Sequence, residues 1–247
     1  MNFNDQVAVV TGGTGSMGRE IVAGLILRGA RVIFCYRQRE DVAQEIVDTL
    51  GNDGRLVAIQ ADVRDVAAMT GLVDEALRRW ERVDMLITAH SAVNNAPIAE
   101  MTLDQWNDVL GVMLRGVTRV CRAALRPMQK ARYGRIVTIT GYQPLAGALT
   151  QANYAAALGG VIGFSKALAR EVAAWGITVN SVAPGLVSRP QMAAFDPSYI
   201  PWATNIVPLK RLGSPAEIVP AVLMLAHRDA GYITGQTVEV DGGWRMV

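Results

Sequence analysis

Cysteine and histidine are scarce in this chain, with two of each among 247 residues. Cys35 and Cys121 sit inside apolar runs with no histidine nearby, so they read as buried thiols and no metal site is expected. A surplus of one charge is missing too. The 24 basic and 22 acidic residues leave a net charge of +2, and the basic ones are scattered. Without a basic stripe or an acidic tail, neither nucleic acid nor a membrane surface is an expected partner. No stretch reaches the roughly 18 uninterrupted apolar residues that cross a bilayer. The first six residues lack the basic and apolar regions of a secretory leader. These absences predict a cytoplasmic protein. Repeats, low-complexity tracts and linkers are lacking as well, so residues 1–247 are read as a single domain.

What is present is core material. Hydrophobic residues make up 51% and charged residues 19% of the chain, enough for a large core. Strand and helix patterns alternate from the start. Val7–Val10 is a wholly apolar run ending in glycines, as expected for a strand buried on both faces. Further strands are expected at Arg31–Tyr36, Arg55–Gln60, Met85–Ile87, Ile136–Ile139, Thr178–Val182 and Val238–Val240. Between them, Met17, Ile21, Val22 and Leu25 share one helical face. Val66 to Trp80 steps at helical spacing, and Thr102 with Gln105 forms a capping-box pattern opening a long helix, about Asp104–Lys130. A small-residue helix is expected from about Ala152 to Ala174, and Ser214-Pro215-Ala216-Glu217 opens another. His227 is placed at that last helix's end as a dipole partner. Strands joined by helical crossovers give an α/β fold, a doubly wound parallel sheet of about seven strands in three layers. Leu186–Pro208, with four prolines, reads as a long irregular segment over the carboxyl edge of the sheet, where such folds bind ligands.

The loop Thr11-Gly12-Gly13-Thr14-Gly15-Ser16-Met17-Gly18 joins the first strand to the first helix. Glycines there permit a tight turn and bring helix N-terminal amides to a pyrophosphate. This loop resembles the TGxxxGxG of the short-chain dehydrogenase/reductase family, a Rossmann-fold family. The rest of the chain is similar in register, most of all to bacterial 3-oxoacyl-carrier-protein reductases. Ala61-Asp62-Val63 matches the family's adenine-contacting Asp-Val. Gln151-Ala152-Asn153-Tyr154 matches the segment with the catalytic Tyr, and Val179-Asn180-Ser181-Val182-Ala183-Pro184-Gly185 matches VNxVxPG. Thr234-Gly235-Gln236 through Asp241-Gly242-Gly243 matches the C-terminal strand, so the resemblance covers essentially the whole chain.

The resemblance implies a catalytic Tyr, Ser, Lys and Asn, and only the Tyr survives, as Tyr154. Leu158 stands one helical turn on, in place of the Lys. Gly141 stands in place of the Ser. Thr140 is adjacent, but its side chain should point elsewhere. Met113 stands in place of the Asn, and the family's NNAG reads Thr88-Ala89-His90-Ser91. Ser16 replaces the middle glycine of the phosphate loop, which weighs against binding. An unassisted phenol titrates near about 10, so about one in a thousand is ionised at pH 7. Losing general acid/base help costs about 10²–10⁴-fold, and losing an oxygen-stabilising donor costs about 10²–10³.

Three functions follow as expectations. The first is a catalytically inactive subunit of a homo- or hetero-oligomeric complex. It would assemble through the two long helices, including Gly159, Gly160 and Gly163, with an active paralogue working on an acyl-thioester or polyketide-like substrate. The second is a non-redox dehydratase, cyclase or isomerase using His90, Tyr154, Asn94, Asn95, Tyr142 and Gln143. The third is a weak NADPH-dependent 3-oxoacyl reductase relying on Tyr154. The cofactor expectation is NADP(H) or none. Its candidate contacts are Thr11, Gly12, Gly15, Ser16, Gly18, Asp62 and Val63, with Arg37 favouring a 2′-phosphate. Met192, Phe195, Tyr199, Ile200 and Trp202 in the prolyl segment suggest a small hydrophobic or acyl-type ligand, or equally side chains packing an empty pocket or an interface.

Overall fold

The computed structural model describes residues 1–51, 54–188 and 199–246. Seven strands, β1 (Val7–Thr11), β2 (Arg31–Tyr36), β3 (Leu56–Gln60), β4 (Met85–Thr88), β5 (Gly134–Ile139), β6 (Ile177–Pro184) and β7 (Thr237–Val240), form one sheet. Their order is β3-β2-β1-β4-β5-β6-β7, and every pairing is parallel. This is the three-layer Rossmann α/β fold. The central strands are buried on both faces because helices cover both, which is why Val7–Val10 and Met85–Ile87 read as unbroken apolar runs, while β5 buries Arg135 and Thr138 among its apolar residues.

One face carries α1 (Ser16–Ile26), α2 (Glu40–Leu50) and α9 (Pro215–Ala226), with α1 packed on α9 around Ile21, Leu25 and Leu223. The other carries α3 (Val66–Trp80), α4 (Leu103–Met113), α5 (Arg115–Ala131) and α7 (Ala152–Val172), around Leu72, Val120 and Leu168. Asp65 caps α3 by accepting from the N–H groups of Ala67 and Ala68, and Thr102 and Gln105 form the reciprocal box that opens α4.

Three expectations change and one element is added. The helix read over about 104–130 is two helices, broken at Leu114. Glu40–Leu50, not read from the sequence, is a helix burying only Val42, Ala43 and Ile46. Part of the segment read as irregular is α8 (Tyr199–Ile206); Pro201 lies in its first turn, where a missing N–H costs nothing. His227 accepts a hydrogen bond from the Asp229 N–H at 3.3 Å and packs edge-on against Phe3, so it caps the following turn instead of answering a helix dipole.

The sheet order reverses between β1 and β4. The segments leaving these two strands part in opposite directions and open a crevice at the carboxyl edge, as doubly wound sheets do. No helix among the described residues is long and apolar enough to cross a membrane.

Candidate active site

A cavity of about 610 Å³ occupies this crevice. Gly12, Gly15, Ser16, Arg37, Asp62 and Val63 line one end, and His90, Met113, Gly141 and Tyr154 line the other. Thr11, Gly18 and Leu158 stand behind the lining.

The nucleotide-shaped end is built from backbone. Gly12 has φ +72°, and a Cβ there would lie 2.5 Å from the His90 Cα. A Cβ on Gly18 would strike the Gly12 carbonyl, so α1 can approach the loop this closely only as glycine. Helix α1 starts at Ser16 with no side-chain cap and no acidic residue in its first turn, leaving N–H donors beside the cavity. Arg37 follows β2 and Arg39 opens α2; both are exposed and both line the cavity. The sequence reading singled out Arg37 but passed over Arg39, whose proximity depends on the turn into α2.

Asp62 is gripped by Arg64, with Nη2–Oδ2 at 2.7 Å and Nε–Oδ1 at 3.1 Å. That guanidinium holds its carboxyl below the usual carboxylate range. Cys35 lines the cavity floor, and burial pushes its thiol up to about 11, so it stays protonated and unreactive.

At the other end, the chemistry-bearing positions are brought together but mostly without polar groups. Tyr154, in the first turn of α7, is 7% exposed, and its hydroxyl lies 3.4 Å from Ser91 Oγ. Asn153 fastens this turn by donating to the carbonyls of Asn94 and Gln105 and accepting from the Tyr154 N–H. Leu158, one turn on, is fully buried. Its Cδ1 would lie 3.5 Å from a Cβ on Gly141, so the two positions that hold Lys and Ser in the family motif face each other as apolar groups. Met113 is buried, and its sulfur accepts from the Ala92 N–H at 3.3 Å. The Thr140 hydroxyl donates to the Val182 carbonyl at 3.1 Å, directed into the sheet.

His90 bridges β1 and α4. Its Nε2 lies 3.1 Å from the Val112 carbonyl, which can only accept, so Nε2 carries the proton and Nδ1 accepts from the Thr11 hydroxyl at 2.6 Å. Burial holds this imidazole down at about 4. Both nitrogens are therefore occupied in a neutral ring. Of the other polar candidates, Asn95, Tyr142 and Gln143 line the cavity, whereas the Asn94 side chain accepts from Gln105.

The polar motif after β6 serves the frame. Asn180 donates to the Ile233 carbonyl at 2.8 Å and accepts from the Gln236 N–H, and Gly185 abuts Asp241 too closely for a Cβ. Beyond it, Leu186 packs with Ala203 of α8 and Val207 just after it, and with Tyr142 and Trp244; Leu186 and Tyr142 line the crevice. Ile200 and Trp202 are exposed (44% and 53%) and do not fill the pocket. Met192, Phe195 and the Tyr199 side chain lie outside the described residues. No group of three or more His, Cys, Asp or Glu that could hold a metal ion occurs among the described residues.

Residues 12–245 match the family model described as enoyl-(acyl carrier protein) reductase. The chain is 40% identical over 247 residues to the 3-oxoacyl-(acyl-carrier-protein) reductase FabG of Escherichia coli (strain K12), covering all of both chains. It is 38% identical over the full length to the FabG of Vibrio harveyi. It is also 35% identical over 243 residues to the acetoacetyl-CoA reductase of Acinetobacter sp. (strain RA3849), covering 98% of each chain.

Proposed function

The chain belongs to the short-chain dehydrogenase/reductase family, as a homologue of its 3-oxoacyl ketoreductases, and from that premise we propose that it keeps the NADP(H) cleft but has lost the proton-transfer apparatus. It acts as a catalytically silent subunit in acyl-thioester chemistry. The observation that carries this reading is Leu158: a fully buried leucine occupies the position from which the family's lysine assists the tyrosine, and it packs toward Gly141.

The residues of the cleft fit the dinucleotide. Gly12 and Gly18 have no room for a Cβ, the first turn of α1 is uncapped, and Arg37 with Arg39 offers two guanidiniums for a 2′-phosphate. Bound NADPH would supply a hydride. What the chain must add for ketoreduction is a proton at the carbonyl oxygen. Tyr154 faces the cavity, and among the described residues its hydroxyl is partnered by the neutral Ser91 hydroxyl alone, at 3.4 Å. His90 takes no part in proton transfer, because both its nitrogens are held and its ring is neutral near pH 7. Tyr154 alone supports the second reading, a slow reductase.

Assembly with a second copy or with an active paralogue would use α4, α5 and α7. In α7, Gly160 receives Leu114 from within the chain, whereas Gly163 faces open space. A short acyl-type ligand suits the apolar wall formed by Leu186 and Val187. The test is calorimetric titration with NADPH and NADH. NADPH is expected to bind in the micromolar range and more tightly than NADH, with that preference lost in an Arg37→Ala/Arg39→Ala variant. No NADPH binding would refute the reading.

A further inference from the structure

The carboxylate at the base end of the cleft is already engaged. Asp62 and Val63 follow β3, whose last residue pairs with the end of β2, and the Gln60 amide donates to the Arg37 carbonyl at 3.1 Å. Arg37 and Asp62 therefore lie side by side on the cavity wall. With the pyrophosphate on Gly12 and α1 and the 2′-phosphate on Arg37 and Arg39, the base carried by the same ribose falls at Asp62 and Val63. Yet Asp62 is held by the residue two places on. The Arg64 backbone N–H donates to Oδ1 at 2.8 Å, Nε reaches both oxygens at 3.1 Å, and Nη2 donates to Oδ2 at 2.7 Å. The last guanidinium nitrogen, Nη1, donates to Asp108 Oδ1 on α4 at 3.2 Å, so the fork is fixed on two sides.

A carboxylate has about four acceptor sites on its two oxygens, and these contacts take two on each. Exposed ion pairs are weak in general, but a bidentate arginine tied into a network is the exception. An incoming amine is a neutral donor. To reach Asp62 it has to displace a charge-assisted N–H, and it gains nothing by the exchange. The pairing serves the neighbouring subsite as well. Asp62 lies in the field of Arg37, and an uncompensated carboxylate there would oppose the 2′-phosphate.

We infer that Arg64 is a specificity-determining residue: it withdraws Asp62 from base recognition, so the cleft does not read the 6-amino group of adenine through this carboxylate. This rests on the NADP(H) reading above and departs from the Asp–adenine contact that the family resemblance implies.

The experiment titrates the full chain with NADPH and with reduced nicotinamide hypoxanthine dinucleotide phosphate, in which an oxo group replaces the 6-amino group. The quantity read is the ratio of the two dissociation constants. Both ligands carry the same phosphates, so changes in phosphate binding cancel. Arg64→Ala frees the carboxylate, and the preference for the adenine form should rise by about 3–10-fold, the worth of one hydrogen bond. Asp62→Ala/Arg64→Ala should return the ratio to within about twofold of the wild type. The two side chains are 29% and 45% exposed, so both variants should keep the wild-type unfolding midpoint. A ratio unmoved by Arg64→Ala, or a raised ratio that persists in the double variant, would overturn the inference while leaving the NADP(H) reading intact. Binding of neither dinucleotide to the wild type would overturn both.

Discussion

The two ends of the crevice differ in what holds them. At the phosphate-loop end the constraint is backbone against backbone: Gly12 against the main chain of residues 89 and 90, Gly18 against the Gly12 carbonyl. At the tyrosine end side chains make the contacts: the tip of Gln143, in the short helix α6 (Gln143–Ala146), and Leu158 against Gly141, and the Met113 sulfur against the Ala92 N–H. Backbone collisions cannot be relieved by choosing a different rotamer, so Gly12 and Gly18 are kept as long as the fold persists, while position 16 has already become serine. Side-chain positions can exchange a charged group for a well-packed apolar one at little cost in stability, because burying a charge is expensive unless it is paired. Ligand chemistry is lost first where packing does not demand it.

Three changes sharpen the contrast, from the largest effect to the smallest. Gly18→Ala forces a Cβ onto a carbonyl and should cost about 2–4 kcal/mol by urea denaturation, together with NADPH binding. A loss below ~1 kcal/mol would mean that the loop yields more easily than its geometry implies.

The middle effect is one of pH. Burial pushes His90 down to about 4 in the folded chain, below the ordinary imidazole value of 6.5, so between these values the unfolded chain binds a proton that the folded chain does not. Stability therefore falls as pH drops through this window and is steady above it. The edge of the ring meets the cavity, which moderates the loss to about 2–3 kcal/mol between pH 7 and 4. Unfolding free energies measured across that range for the wild type and His90→Ala should differ in slope, with the variant flatter. Equal slopes would remove His90 from the account.

The smallest effect belongs to Gly141→Ser. Its obstacle is the end of a flexible side chain, so Gln143 swings aside and stability changes by less than about 1 kcal/mol. A loss as large as that of Gly18→Ala would erase the distinction between the two ends.

The same contrast explains how much was legible in the sequence. The bounds of β2 and α3 could be read directly, because one is a continuous buried run and the other an apolar stripe with an Asp cap. Helix α2 was not, since three buried residues leave too narrow a stripe. The break at Leu114 was hidden because the apolar spacing continues through it while Leu114 itself packs on Gly160. At the site, the replaced positions were visible as letters: Leu158, Gly141, Met113. What filled the space was not. The seating of Gln143 depends on the turn after β5, and the double hydrogen bond of His90 depends on β1, β4 and α4 meeting, contacts far apart in the chain.

The central claim is that the cleft is kept and the chemistry is not. Its most direct test is acetoacetyl-CoA-dependent oxidation of saturating NADPH, measured beside the Acinetobacter acetoacetyl-CoA reductase. The account predicts a rate at least about 10³-fold lower for this chain, rising in a Leu158→Lys/Gly141→Ser/Met113→Asn variant. A wild-type rate within about tenfold of that relative, abolished by Tyr154→Phe, would contradict it and establish a working reductase built on the tyrosine alone.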